Sequence, residues 1–125
     1  MKYFTDTELT VTGTDLPNIP NEEQENNLHI LVEKLLDPIR EMWGKPIMVN
    51  SAFRSEEVNE QVGGVATSQH CKGQAADLHC DDNKGLFEMI KEHFEFDQLI
   101  NEHNFSWVHV SYNLGHNRKQ VLKIT

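Results

Sequence analysis

From about Asn21 the apolar residues recur at spacings of three and four: Leu28, Leu31, Val32, Leu35, Leu36, Ile39, Met42 and Trp43. That spacing places them on one face of an amphipathic helix. Pro38 lies inside the run and is expected to bend or divide the helix, since its ring crowds the carbonyl four residues earlier. Gly44 ends the helix, and "KPIMVNSAF" then alternates as a strand. Ser55 caps a second helix over "EEVNEQVGG", with acids in its first turn and glycines at its end. "QAADLHC" reads as another strand. Asp82 or Asn83 caps a third helix reaching His93, with Leu86, Phe87, Met89 and Ile90 facing inward. Three short strands follow, "FDQLI", "WVHVSY" and "KQVLKI", expected to form a meander. Before all of these, "FTDTEL" makes a helical turn capped by Thr5; the rest of residues 1–20, with Gly13, Pro17 and Pro20, is an irregular wrap. The succession predicts an α+β fold with helices packed on one small, mostly antiparallel sheet.

A chain of 125 residues, without repeats or linkers, is expected to be one domain over 1–125. Hydrophobic residues make up 38% and charged residues 25%, a composition suited to a soluble protein, and no apolar run nears the ~20 residues needed to cross a bilayer. The formal net charge of −9, with no basic stripe to offset it, argues against nucleic acid as a partner. "MKYFTDTELT" lacks the apolar middle of a secretory signal, so the expected location is cytoplasmic as synthesised, unless lysis or a dedicated machine releases the chain. A monomer is expected. Cys71 and Cys80 lack CxxC spacing and are expected to be free thiols.

The chemistry concentrates in "SQHCKGQAADLHC", Ser68 to Cys80. His70 and Asp77 are separated by six residues that include Gly73, which can adopt backbone angles closed to other residues. A loop turning there can bring both side chains to one point. In "WVHVSY" the alternation sends Val108 and Val110 to one face and His109 to the other, with Trp107 and Ser111. Two histidines and one carboxylate, with a fourth position open, is the ligand set of a hydrolytic zinc site, although imidazole and carboxylate also suit other divalent metals. His79 lies two residues after Asp77 on the same strand face, where it could be a fourth ligand or a supporting hydrogen-bond donor. His29, His93, His103 and His116 read as surface residues.

"SAFRSEEVNEQVGG", "TSQHCKGQAADLHC" and "WVHVSY" together resemble the zinc D-Ala-D-Ala carboxypeptidase and murein endopeptidase family of metallopeptidases, in its phage-endolysin-like branch. The likeness runs from about Phe4 to Ile124 and implies a hedgehog/DD-peptidase-like fold with one Zn2+ in a surface cleft. It implies His70, Asp77 and His109 as ligands. Ser68, Gly73 and Ala75 fill the rest of the first motif, Ser68 binding substrate or steadying the loop. Arg54 matches the family arginine beside the scissile peptide; its simpler reading is an ion pair with Glu56 or Glu57. The implied substrate is a peptidoglycan stem peptide or another peptide of the D-Ala-D-Ala type.

One departure from the family pattern matters. Many relatives carry an acid three residues before the last histidine, where this chain has Ser106, and others a histidine two residues before, where it has Trp107. The acid expected to serve as general base is therefore Glu102, if a turn over 103–106 folds "QLINE" onto "WVHVS"; Asp97 begins the same strand further from that turn. Two competing readings stay open: a non-catalytic zinc-bearing recognition module for cell wall or protein, and a cytoplasmic dipeptidase acting on free D-Ala-D-Ala.

Overall fold

Helix α2 (Glu22–Leu31) begins with a reciprocal cap: Asn21 accepts from the Gln24 N–H, and the Gln24 side chain accepts from the Asn21 N–H. A computed structural model, covering residues 1–125, shows how this helix continues. Pro38 does not divide it. The rod runs on through a π-helical segment, Val32–Leu36, into α3 (Asp37–Trp43), and the Asp37 N–H reaches back five residues to the Val32 carbonyl. The wider turns lie immediately before the proline, where an α-helical carbonyl would meet its ring. Gly44 then ends the rod in the left-handed conformation, φ 73°. The stripe of Leu28, Leu31, Val32, Leu35, Leu36 and Ile39 is buried as its spacing requires, but Met42, expected to continue it, is 52% exposed at the end of the rod, and Trp43 is half-buried.

The remaining elements are α1 (Asp6–Leu9), capped by Thr5, then β1 (Met48–Ser51), and α4 (Glu56–Gln61), capped by Ser55. A 3-10 turn at Gln69–Lys72 leads into β2 (Ala75–His79). Helix α5 (Asn83–His93) is capped by Asp82. Strands β3 (Gln98–Glu102), β4 (Trp107–Ser111) and β5 (Gln120–Ile124) complete the fold. The strand in "KPIMVNSAF" is shorter than its alternation suggests. Its register slips between Val49 and Ser51, and Ala52 and Phe53 turn into the core beyond it.

The sheet order is β1-β2-β4-β3-β5, so the class is α+β with a mostly antiparallel sheet, as the sequence implied. The terminal meander is not what forms. β5 passes β4, crosses to the far side of β3 and pairs with it in parallel, Ile100 opposite Leu122 and Glu102 opposite Ile124. One face of the sheet carries Ala76, Leu78, Leu99, Val108 and Val110 into a core shared with the helices. The opposite face carries Asp77, His109, Ile100 and Glu102, and every candidate residue on a strand points to that side. No helix is long and apolar enough to cross a membrane.

Candidate metal centre

Asp77 and His109 are direct neighbours across the β2–β4 ladder. Residues opposite each other on adjacent strands have Cβ atoms about 5 Å apart, so two separate sequence segments deliver one carboxylate and one imidazole to the same spot. The third group arrives by the 3-10 turn. Ser68 accepts from the His70 N–H at 3.2 Å, and Gly73 closes the turn at φ 75°. The turn lies against α2: Gln24 Nε2 donates to the Cys71 carbonyl and Asn27 Nδ2 to the Lys72 carbonyl. A side chain at Gly73 would begin 2.4 Å from the Gln24 carbonyl oxygen, so glycine is needed there for space as well as for angle.

His70 Nε2 lies 3.3 Å from Asp77 Oδ2, and His109 Nδ1 lies 2.9 Å from Asp77 Oδ1. All three residues are buried, at 3%, 6% and 8% exposure. Their donor atoms lie within 4.8 Å of one another, close enough to share one ion. A second hydrogen bond orients His70. Its Nδ1–H donates to the Ala52 carbonyl at 2.6 Å, which leaves Nε2 directed at the cluster. Burial by itself would raise the Asp77 carboxyl, but hydrogen bonds from His109 and His70 outweigh it and hold the group ionised, well below the usual carboxylate range. An anion fixed between two imidazoles fits Zn2+ by donor type, by burial and by the oriented tautomer.

Arg54 joins the cluster. Its Nη2 donates to Asp77 Oδ2 at 3.2 Å, its Nε to Ser51 and its Nη1 to Asn59. The ion pair with Glu56 or Glu57 does not form; the guanidinium steadies the carboxylate instead. Asn18, in the N-terminal wrap, brackets this arginine by donating to the Phe53 carbonyl and accepting from the Ser55 N–H.

An open cleft of about 730 Å3 spreads over the triad, in the upper part of the range usual for ligand sites (about 300–1,000 Å3). Arg54, Ser68 and Glu102 all line it. Glu102 sits where the expected turn puts it: Ser106 N–H bonds back to its carbonyl at 3.1 Å, and Glu102 pairs with Trp107, two residues from His109.

Three features of the site escaped the sequence reading. His103, read as a surface residue, is exposed but lines the cleft, with its ring against Trp107 at 4.9 Å. It starts a run of three left-handed non-glycine residues, His103, Asn104 and Phe105, held by Asn101 Oδ1, which accepts from the Phe105 N–H, and by Asn83 Nδ2, which donates to the Phe105 carbonyl. Asp97 is a buried anion that accepts from Gln69 Nε2 and from the Arg118 side chain and N–H. Those bonds, Arg118's first, hold its carboxyl below the ordinary range against the effect of burial. Phe96, fully buried beside it, was the available signal, since an acid drawn into a core demands a partner. The third is Arg118 itself, which lines the cleft.

His79 neither ligates nor supports the triad. It lies one strand step too far along β2, opposite Met48, and its Nδ1 bonds to the side chain of Asn50. Cys71 and Cys80 are unpaired, and burial raises both thiols, which disfavours the thiolate a metal needs.

A buried carboxylate between two imidazoles, at the floor of an open cleft on an α+β sheet, defines a metallohydrolase type of site. The family model for Peptidase M15 matches residues 2–111, and the chain belongs to that family of peptidases. It is also 54% identical over 37 residues to a zinc D-Ala-D-Ala carboxypeptidase of Streptomyces albus G, a stretch covering 30% of this chain and 14% of that protein. The family resemblance carried by the sequence motifs is thereby established.

Proposed function

We propose that this chain is a zinc peptidase that hydrolyses peptidoglycan stem peptides, as a D-Ala-D-Ala carboxypeptidase or as an endopeptidase. The observation that carries the reading is the convergence of His70, Asp77 and His109 beneath a cleft that also holds Glu102 and Arg54, in a chain of the Peptidase M15 family. His70 through Nε2, Asp77 through its carboxylate and His109 through Nδ1 would hold the ion. When bound, Zn2+ supplies Lewis acidity toward a carbonyl oxygen and acidifies water.

The chain's own groups do the rest. Glu102 accepts a proton from the attacking water as its oxygen adds to the peptide carbon, and returns that proton to the nitrogen as the C–N bond breaks. Arg54 uses one N–H on each of its three guanidinium nitrogens to hold Asp77, Ser51 and Asn59; its remaining N–H groups can meet a substrate oxygen. Ser68 keeps the His70 turn closed. Trp107 and Ile100 supply an apolar lining beside the reacting bond.

The open shape of the cleft favours a chain longer than a free dipeptide, and so favours murein over a dipeptidase substrate. The test is digestion of purified sacculi with the zinc-loaded protein, followed by mass spectrometry of the released peptides. New amine termini or free alanine, abolished by a chelator and restored by Zn2+, are expected. Zinc retained with no bond cut would instead favour the recognition module.

A further inference from the structure

The family match ends at Ser111, yet the cleft is completed by residues beyond it. Arg118 and Ile124 both line it, and β5 extends its floor past β3. Arg118 is anchored in a way that a free surface arginine is not. Its Nε and Nη2 donate to the two oxygens of Asp97 at 2.7 and 3.0 Å, and its backbone N–H donates to Asp97 Oδ1 at 3.1 Å. Asp97 is 1% exposed and also accepts from Gln69, the residue next to the ligand His70. The guanidinium plane is thus fixed while its side chain stays 57% exposed. A guanidinium has five N–H groups in a planar fork, so the Nη1 pair and the outer Nη2 hydrogen remain free of protein partners. A rigid, exposed donor fork in a ligand cleft matches a planar carboxylate.

Its position selects which carboxylate. His109 is opposite Ile100, and Arg118 is tethered at Asp97, three residues further along the same strand direction. At roughly 3.3 Å per residue that is about 10 Å from the triad. An extended peptide crossing the triad along the strands therefore brings to Arg118 a group two or three residues from the bond cut. The carboxylate next to that bond falls short.

We propose that Arg118, held by Asp97, is a carboxylate anchor that reads an acidic residue two or three positions from the scissile bond of the peptide substrate. This rests on the peptidase reading for the placement of that bond. Recognition of an internal acid would make the C-terminal segment a specificity element of this chain, built outside the family-matched region.

The experiment measures peptide affinity by calorimetry on zinc-loaded Glu102→Gln protein, with and without Arg118→Gln. The probes are L-Ala-D-Glu-L-Lys-D-Ala-D-Ala, its D-Gln counterpart, and the acidic peptide with an amidated C-terminus. The expected result is that D-Glu to D-Gln weakens binding about tenfold when Arg118 is present and not at all in Arg118→Gln. Amidating the C-terminus should have equal effects in both. The acid-to-amide ratio is unaffected by any unfolded fraction, and Arg118→Lys, which keeps the charge but loses the fork, should retain only part of it. No binding, no acid preference, or a preference at the C-terminus that depends on Arg118 would each overturn the proposal. Acid preference without turnover by the unmodified protein would sink the hydrolase reading and leave the anchor standing; turnover without preference would do the reverse.

Discussion

Glu102→Gln is expected to lower kcat for peptide release by roughly 100- to 10,000-fold, the usual contribution of a positioned general base. That corresponds to about 3–5 kcal/mol on the barrier. Glutamine keeps the shape and can still hydrogen-bond water, but it cannot take the proton. Zinc content should stay at one ion per chain, because Glu102 is outside the group formed by His70, Asp77 and His109. KM should change little. Steady-state kinetics with metal analysis of the same sample checks this, and a kcat within threefold of the parent would remove Glu102 from the chemistry. The Ser106 hydroxyl donates to the His103 carbonyl at 2.6 Å, closing the turn that presents Glu102.

The second large effect is on stability. Gly73→Ala should cost about 3 kcal/mol, combining roughly 1–2 kcal/mol for an L-residue in the left-handed region with roughly 1–3 kcal/mol for overpacking. The clash is with the Gln24 carbonyl inside α2, so neither partner can swing aside as a flexible side chain could. Thermal melting of the zinc-free protein should fall by roughly 10 °C or more. Gly73 lies between two candidate ligands, so the same change should weaken zinc binding. A melting point within two or three degrees of the parent would show that the turn relaxes easily.

Features that depend on local periodicity were legible in the sequence. The apolar stripe of α2 and α3 and the alternation of "WVHVSY" follow from 3.6-residue and two-residue spacing, and the caps at Thr5, Ser55 and Asp82 from a side-chain oxygen placed just before a helix. The meeting of His70, Asp77 and His109 was legible for a related reason. Once His109 is assigned to the face opposite Val108 and Val110, burial of those valines fixes where its imidazole points.

Features decided by partners distant in sequence were not legible. Nothing in "KQVLKI" says that it pairs in parallel with β3, since a strand's periodicity names no neighbour. Asp97 and Arg118 are separated by 21 positions, and their pairing exists only because β5 crosses the sheet. Pro38 forbids ordinary α-helix before it, but whether the chain breaks or widens into a π turn depends on the core holding Leu35 and Leu36 before the proline and Ile39 after it. His79 shares a strand face with Asp77, as alternation requires. One strand step of nearly 7 Å is enough to put it beside Asn50 and away from the triad.

The most direct test of the whole account is X-ray absorption at the zinc edge on the loaded protein. Two imidazole nitrogens, carboxylate oxygen and one exchangeable water oxygen, at about 2.0–2.2 Å, are expected. A sulfur neighbour at about 2.3 Å from Cys71 or Cys80, or a third imidazole closing the open position, would contradict it.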